Sequence, residues 1–455
     1  MPPKFGTSGL RGLVTDLSSD IVTDYVRAFA ASCDMGTGLY IARDLRESSP
    51  ALAAIVARAA QAAGLAVTDC GAVPTPALAL AAMQAGAAAI MVTGSHIPAD
   101  RNGLKFYTLQ GEITKSHEAA ILAAVGQDWA DQAGPPVRTC DVARQYQDRY
   151  QSAFSGALTG LRLGVYVHSA VGRDLLADLL TKLGAQVVVL GASETFVPVD
   201  TEAVDDATRD QLNRWAKTQQ VSAILSTDGD GDRPLMTDEN GQVIAGDVMG
   251  QIAAAYLGAQ NVVTPVSSNT GAEAGGAFEQ VLRTKIGSPH VIAGMQAIAV
   301  QVAGYEANGG FLLGFDAAGP AGPLPALMTR DAVLPMLTLL AAAGGQALSA
   351  LVAAQPARFT AADRLQNVSI AATHQLIMSL TDTPSIFLSK LGLRAVALNL
   401  TDGLRLTCND GRIVHLRLSG NAPELRLYIE ASSPALARST LHAGLDVLRH
   451  LIVRA

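Results

Sequence analysis

Aromatic residues make up only 5% of the 455-residue chain, with two tryptophans. Its core must therefore rest on small and aliphatic side chains. With 43 glycines and abundant Ala, Val and Leu, the chain reads as helices packed closely on sheets. Cysteine is scarce: Cys33, Cys70, Cys140 and Cys408 lie far apart, with no metal-type spacing, and read as reduced thiols of a cytosolic protein. Long basic runs are missing and the net charge is −7, which argues against a nucleic-acid partner. An anionic substrate would instead be held by local arginines and helix N-termini. No membrane span is found either: the apolar stretch from Ala77 to Val92 is broken by Gln84 and Gly86, so it reads as a helix followed by a strand. The opening Met1-Pro-Pro-Lys-Phe-Gly6 is no signal peptide.

What is present is a recurring pattern. A strand at Gly38 to Ala42, a helix from Ser48 to Ala63 ended by Gly64, and a strand at Leu65 to Thr68 form one copy. The pattern returns in the strand Leu161 to His168, the helix Gly172 to Leu183, Gly184 and the strand Gln186 to Leu190. A third, weaker copy starts at Asn261 to Val266. These are three related α/β units. A helix containing Tyr146 and Tyr150 links the first to the second, Gly319 to Pro325 reads as loop, and a helix from Thr329 to Ala342 completes the third. After Phe359 the pattern changes. Leu404 to Cys408, the turn Asn409-Asp-Gly411 and Ile413 to Leu418 read as a β-hairpin. A strand at Glu424 to Glu430 and a helix from Pro434 to Leu451 complete a smaller antiparallel α+β domain. The expected division is residues 1–156, 157–247, 248–358 and 359–455.

Six stretches are candidates to carry chemistry. The buried run Ala87 to Val92 leads into Thr93-Gly-Ser-His-Ile-Pro98, where Ser95 leaves the sheet beside His96 and upstream of Arg101 and Lys105. Ligands of open α/β sheets bind at the carboxyl ends of strands, so Ser95 suits a serine that carries or attacks phosphate. The alternative is a polar strand-to-loop turn. Ser226-Thr-Asp-Gly-Asp-Gly-Asp-Arg233 follows the strand Ala223 to Leu225 and puts Asp228, Asp230 and Asp232 in one short loop. Carboxylates this close repel unless a cation neutralises them, and oxygen ligands suit Mg²⁺. An EF-hand calcium loop fits poorly, because Arg233 stands at the turn glycine and a strand precedes in place of a helix. An acidic turn without metal is the other alternative.

Glu306-Ala-Asn-Gly-Gly-Phe311 offers a carboxylate and an amide that suit vicinal sugar hydroxyls, or simply a glycine-rich turn. Arg417-Leu-Ser-Gly-Asn421 to Arg426 offers Ser419, the Gly420 and Asn421 amides and two arginines as an anion nest, or a polar inter-strand loop. Lys4 to Gly12, with Arg11, lets the backbone approach a ligand closely, or is a flexible terminal loop. Thr284 to His290 is a further loop in which Lys285 or His290 meets substrate, or only solvent.

Together these motifs resemble the α-D-phosphohexomutase superfamily over essentially the whole chain. Thr93 to Pro98 matches its phosphoserine loop Thr-Ala-Ser-His-Asn-Pro, Asp228 to Arg233 matches its metal loop at every position, and Phe5 to Gly12 matches its opening. The resemblance implies four domains around a central cleft: three α/β units with mixed sheets and a C-terminal antiparallel α+β domain. It implies that Ser95 is phosphorylated in the active state, with Mg²⁺ held by that phosphate and by Asp228, Asp230 and Asp232. Lys105, with His96, would manage the hydroxyl proton, and Arg11 and Arg233 would lie near the transferred phosphoryl group. Thr7, Ser8, Lys285, His290, Glu306 and Asn308 would contact the sugar phosphate, while Arg417, Ser419, Gly420, Asn421 and Arg426 would hold the phosphate that is not reacting.

The implied activity is interconversion of hexose 1-phosphate and hexose 6-phosphate through a hexose 1,6-bisphosphate, which also serves as activator. Mannose phosphate ranks first, glucose phosphate second and glucosamine phosphate third. A sugar phosphatase and a non-catalytic sugar-phosphate binding protein are the rivals. The expected setting is cytoplasmic, as a monomer or homodimer, with no nucleic-acid or membrane partner. Departures fall in the substrate loops. Ile97 replaces Asn, Asn308 and Gly310 replace Ser and His of the sugar loop, Asn421 and Ala422 replace Thr and Glu of the phosphate loop, and His290 is displaced from its usual place.

Overall fold

In a computed structural model, which describes residues 3–6, 9–418 and 423–452, the three recurring patterns become three sheets with one shared strand order. In the first, Val67–Ala72, Leu39–Arg43, Ala88–Val92 and Arg101–Thr108 are neighbours in that order. The first three are parallel and the fourth is antiparallel. Gln186–Ala192, Arg162–His168, Ala223–Thr227 and Pro234–Met236 repeat this arrangement. So do Gln280–Thr284, Asn261–Pro265, Val302–Tyr305 and Phe311–Leu313. The third strands are buried along their whole length, as expected of strands covered on both faces.

That common order places the function. In each unit the loop from the third strand to the antiparallel fourth carries a candidate motif. These loops are residues 93–100 with Ser95, residues 228–233 with the aspartates, and residues 306–310 with Glu306. Three equivalent loops thus come from the carboxyl ends of three equivalent strands.

The linker helix Ala143–Phe154 buries Tyr146, Tyr150 and Phe154 at spacings of four, which puts all three on one face. Tyr146 donates to Asp331 of the third unit at 2.6 Å, and Tyr150 donates to the other oxygen of the same carboxylate. The last sheet is wholly antiparallel, in the order Phe359–Gln366, Glu424–Ala431, Ile413–Leu418, Leu404–Cys408, Ala395–Asn399. The hairpin lies where its turn signal placed it. Helices Ile370–Asp382 and Pro434–Ile452 pack with this sheet around Leu404, Leu406, Leu416, Leu427 and Leu445.

Three local expectations change. Residues Thr329 to Asp331 extend a strand, Leu327–Asp331, that pairs with Phe311–Leu313; the helix begins later and spans Val333–Ala343. Asp331 explains the break, since its Oδ1 accepts from Val333 N at 2.9 Å and caps the helix. The Gly319 to Pro325 stretch forms the turn and second strand of a small hairpin, Ala317–Ala318 with Pro323–Leu324, closed by Gly319 N to Gly322 O at 2.8 Å. The strand expected from Leu65 begins at Val67, because Leu65 N still bonds to Ala60 O of the preceding helix. No helix among the described residues is long and apolar enough to cross a membrane.

Candidate active site

Ser95 is fully buried and its backbone lies in the left-handed region, at φ 53°, where a side chain costs about 1–2 kcal/mol. Strain of this kind persists only where the surroundings enforce it. Here Ser95 N donates to Thr93 Oγ1 at 2.7 Å, and Thr93 Oγ1 donates to Asp44 Oδ2 at 2.7 Å. Asp44 also accepts from Ser49 Oγ at 2.5 Å and from Gly94 N at 3.3 Å. Burial pushes the Asp44 carboxyl up, and the Ser49, Thr93 and Arg46 contacts oppose it.

Arg46, 1% exposed, finishes the clamp. Its guanidinium donates to the carbonyls of Ser95 at 2.9 Å, Ile97 at 2.6 Å, Pro98 at 2.7 Å and Arg101 at 3.0 Å. It also pairs with Asp44 at 3.2 Å and lies over the Phe196 ring at 3.9 Å. Position 94 needs glycine in this arrangement, because a Cβ there would come within 2.6 Å of the Arg46 Cζ. Asp44 and Arg46 had no role in the sequence reading. Their signal was present: two charges directly after a buried strand, at the same sheet edge as Ser95.

Asp228, Asp230 and Asp232 are all fully buried, with one oxygen of each within 4.8 Å of the others. Ser95 Oγ donates to Asp228 Oδ2 at 2.5 Å. Lys105 Nζ bridges Asp230 Oδ2 at 2.5 Å and Asp232 Oδ2 at 2.6 Å, and Thr75 Oγ1 donates to Asp230 Oδ2 at 2.6 Å. Asp230 Oδ1 and Asp232 Oδ1 are buried without a hydrogen-bond partner. Two leftover carboxylate oxygens beside a third carboxylate fit a hard cation. Burial and the neighbouring Asp230 and Asp232 push the Asp228 carboxyl up to about 8. Burial also acts upward on Asp230, but Lys105, Thr75 and Arg330 overcome it and hold that carboxyl below the usual range.

Three arginines surround this acidic centre. Arg233 Nη1 donates to His96 Nδ1 at 2.9 Å, so the ring proton sits on Nε2. Burial, then Arg233 and Arg11, push His96 down to about 2, and it is neutral. Ser95 Oγ is 3.4 Å from the same nitrogen. Burial, then Arg233, lower Arg11 to about 10, although Asp230 opposes this. Arg330 was not singled out from the sequence because its stretch read as a helix start. It is 2% exposed and lies 2.9 Å from Asp232 Oδ2, 3.1 Å from Glu112 Oε1 and 3.7 Å from Glu306 Oε2.

The substrate loops are brought in unequally. Glu306 faces the centre through Arg330, and burial raises its carboxyl. Asn308 is turned into its own loop: Oδ1 accepts from Gly310 N at 3.0 Å, and its carbonyl accepts from Thr201 Oγ1 at 2.8 Å. Lys285 is exposed, and His290 sits in the first turn of the helix Ser288–Ile298, where burial, Lys115 and Lys285 lower it. Arg417 also lowers His290, and Arg417 Nε donates to Asp402 Oδ1 at 3.0 Å. The other Asp402 oxygen accepts from Ile286 N at 2.9 Å, joining the Lys285 loop to the last domain. Arg426 lies 3.6 Å from Glu424 and feels Glu202 of the second unit. Thr7, Ser8, Ser419, Gly420 and Asn421 lie outside the described residues.

Four family models match in order: phosphoglucomutase/phosphomannomutase alpha/beta/alpha domain I at residues 2–130, domain II at 144–241, domain III at 244–359, and the C-terminal domain at 380–445. A phosphomannomutase of Sinorhizobium fredii (strain NBRC 101917 / NGR234) is 44% identical, covering 100% of both chains. A phosphomannomutase of Salmonella muenchen is 43% identical, over 99% of this chain and 96% of its own. A phosphoglucomutase/phosphomannomutase family protein from Burkholderia thailandensis has a similar fold, with a TM-score of 0.77 at 23% identity over 98% of this chain and 97% of its own.

Proposed function

The chain belongs to the phosphoglucomutase/phosphomannomutase family, whose members are isomerases acting on hexose phosphates, and on that premise we propose that Ser95 carries the phosphoryl group that it moves between the 1- and 6-positions of a hexose. The observation that carries this reading is the Ser95 hydroxyl itself. It is held in a strained, clamped loop at 2.5 Å from Asp228, beside two buried carboxylate oxygens that lack partners.

In the forward step the bond from Ser95 Oγ to phosphorus breaks. A bond forms from phosphorus to the free hydroxyl oxygen of the bound hexose phosphate. The product is a hexose 1,6-bisphosphate, which turns end for end and returns its other phosphoryl group to Ser95. Asp228, Asp230 and Asp232, with the phosphate on Ser95, would hold Mg²⁺, which when bound supplies positive charge against the transferring phosphoryl group. Lys105 Nζ, held between Asp230 and Asp232, is the group placed to carry the hydroxyl proton, which ends on the Ser95 Oγ released from phosphorus. His96 is the revised member of the set. Its Nδ1 lone pair is used by Arg233, so it orients that guanidinium and is not the base. Arg233 and Arg11 face the transferring group, and Arg417 and Arg426 hold the distal phosphate.

Mannose phosphate is the preferred substrate in this reading, supported by two phosphomannomutase relatives at 44% and 43% identity. Phosphoglucosamine mutases among the relatives stand lower, at 29% identity and below. The setting proposed is the cytoplasm.

Turnover of mannose 1-phosphate with Mg²⁺ and a trace of hexose 1,6-bisphosphate, followed by phosphorus NMR, tests the reading. The expected product is the 6-phosphate, with a loss of at least about 10³-fold in Ser95→Ala. Free phosphate without isomer would mean a hydrolase, and binding without turnover would mean a non-catalytic protein.

A further inference from the structure

Arg330 sits where the three α/β units meet. It projects from the third unit to within ion-pair distance of one carboxylate from each unit: Glu112 of the first, Asp232 of the second and Glu306 of the third. A structural tie would use every donor it has. Arg330 does not. Its Nε donates to Glu112 Oε1 at 3.1 Å, but Nη2, although paired by charge with Asp232 Oδ2 at 2.9 Å, makes no hydrogen bond. Opposite it, Glu306 Oε2 is also buried without a partner, 3.7 Å from Arg330 Nη1. A guanidinium with one unsatisfied buried N–H therefore lies 3.7 Å, through its Nη1, from a carboxylate oxygen without a hydrogen-bond partner, a gap slightly too wide for a direct bond. A sugar hydroxyl is both donor and acceptor and satisfies both groups at once.

Gly310 makes this arrangement possible. A Cβ at residue 310 would fall 2.9 Å from Arg330 Cδ and 3.1 Å from its Cγ. Any side chain at 310 would therefore displace the guanidinium stem. The departure at Gly310 in the sugar loop and the presence of Arg330 are thus two sides of one packing solution. Arg330 also lies close enough to Arg11 for its charge to be felt there, which places it beside the proposed transfer centre and away from the distal phosphate.

We propose that Arg330 is a specificity-determining residue that reads a hexose hydroxyl together with Glu306, and that Gly310 is required to admit it. This rests on the mutase reading above.

The test compares kcat/KM for mannose 1-phosphate and glucose 1-phosphate in the wild type, Arg330→Lys, Arg330→Ala, Gly310→Ala and the double variant Gly310→Ala/Arg330→Ala. Circular-dichroism melts accompany each. If only one sugar turns over, the inhibition constant of the other replaces its kcat/KM. Lysine keeps the charge but loses the planar fork, so Arg330→Lys is expected to lower kcat/KM for the preferred sugar about 10- to 100-fold. It is also expected to change the ratio between the sugars at least about fivefold. Gly310→Ala should act in the same direction in the wild-type background and have no further effect when Arg330 is already alanine. If Arg330→Ala fails to fold, the lysine and Gly310→Ala variants decide. A ratio that stays within about twofold while both activities fall together would make Arg330 a structural tie and overturn the proposal. A wild type that turns over neither sugar would instead overturn the mutase reading, before any variant is compared.

Discussion

The junction of the three α/β units and the attachment of the last domain are built differently. At the junction the polar groups are buried and partnered across units: Ser95 with Asp228, Thr75 and Lys105 with Asp230, Arg330 with Asp232, Tyr146 with Asp331. The last domain reaches the third unit through Glu430, which takes Arg358 at 2.6 Å and Thr270 Oγ1 at 2.5 Å, and through Asp402, which takes Ile286 N. Arg358 is 24% exposed, and these contacts sit nearer solvent. Phosphoryl transfer needs preorganised charge, so its residues are over-determined. The last domain, which in the proposed reading admits the sugar phosphate and lets a bisphosphate turn, has the softer attachment that such movement needs.

Breaking the rigid side should have the largest effect. Arg46→Ala leaves Asp44 without its ion pair and four loop carbonyls without their donor. The expected cost is about 3–5 kcal/mol of stability, read by urea unfolding. The strained Ser95 conformation should relax with it, with a fall in kcat of about 10²-fold or more, read by phosphorus NMR. Unchanged turnover would show that the clamp does not position Ser95.

Acid should strike both regions alike. His168 in the second unit and His415 in the last domain are buried, bonded through Nε2 to the Thr227 carbonyl at 2.9 Å and the Asp402 carbonyl at 2.6 Å, and each is pushed down to about 4 by burial. Unfolded, each would take its proton near 6.5, so the unfolded state binds more protons between about 6.5 and 4. Stability is therefore complete above that window and falls as pH drops through it, by about 3 kcal/mol for each histidine. Thermal melts across pH 7 to 4 check this, and His168→Gln and His415→Gln should each flatten the slope.

Loosening the soft side should have the smallest effect. Asp402→Ala frees both Ile286 N and Arg417, and should cost about 1 kcal/mol of stability. KM for the hexose phosphate should change about two- to fivefold while kcat stays nearly constant, because the transfer centre is untouched. A large fall in kcat would mean that the last domain also shapes the chemistry.

Legibility followed chain distance. The three aspartates lie within five residues of one another after an apolar strand, and their mutual repulsion made them visible as a candidate cation site. Ser95 was visible because a buried run ends just before it. Arg330 was not, since its partner Glu112 is 218 positions away and Thr329 to Asp331 precede an apolar run that reads as helix. Arg46 shared that fate, because its acceptors are backbone carbonyls some fifty residues on, and carbonyls carry no sequence identity. His96 was visible beside Ser95, but its contact with Arg233, 137 positions away, was not.

By itself the sequence determined the three α/β repeats, the final hairpin and the two loops that carry Ser95 and the three aspartates, because local periodicity and short-range charge repulsion act within a few residues of chain. Only the tertiary structure decided that the three functional loops are equivalent positions of one repeated sheet, that Arg46 and Asp44 hold Ser95 in its strained conformation, and that Gly310 makes room for Arg330. Those are contacts between groups distant in the chain, and close packing, rather than local preference, selects which of them can coexist.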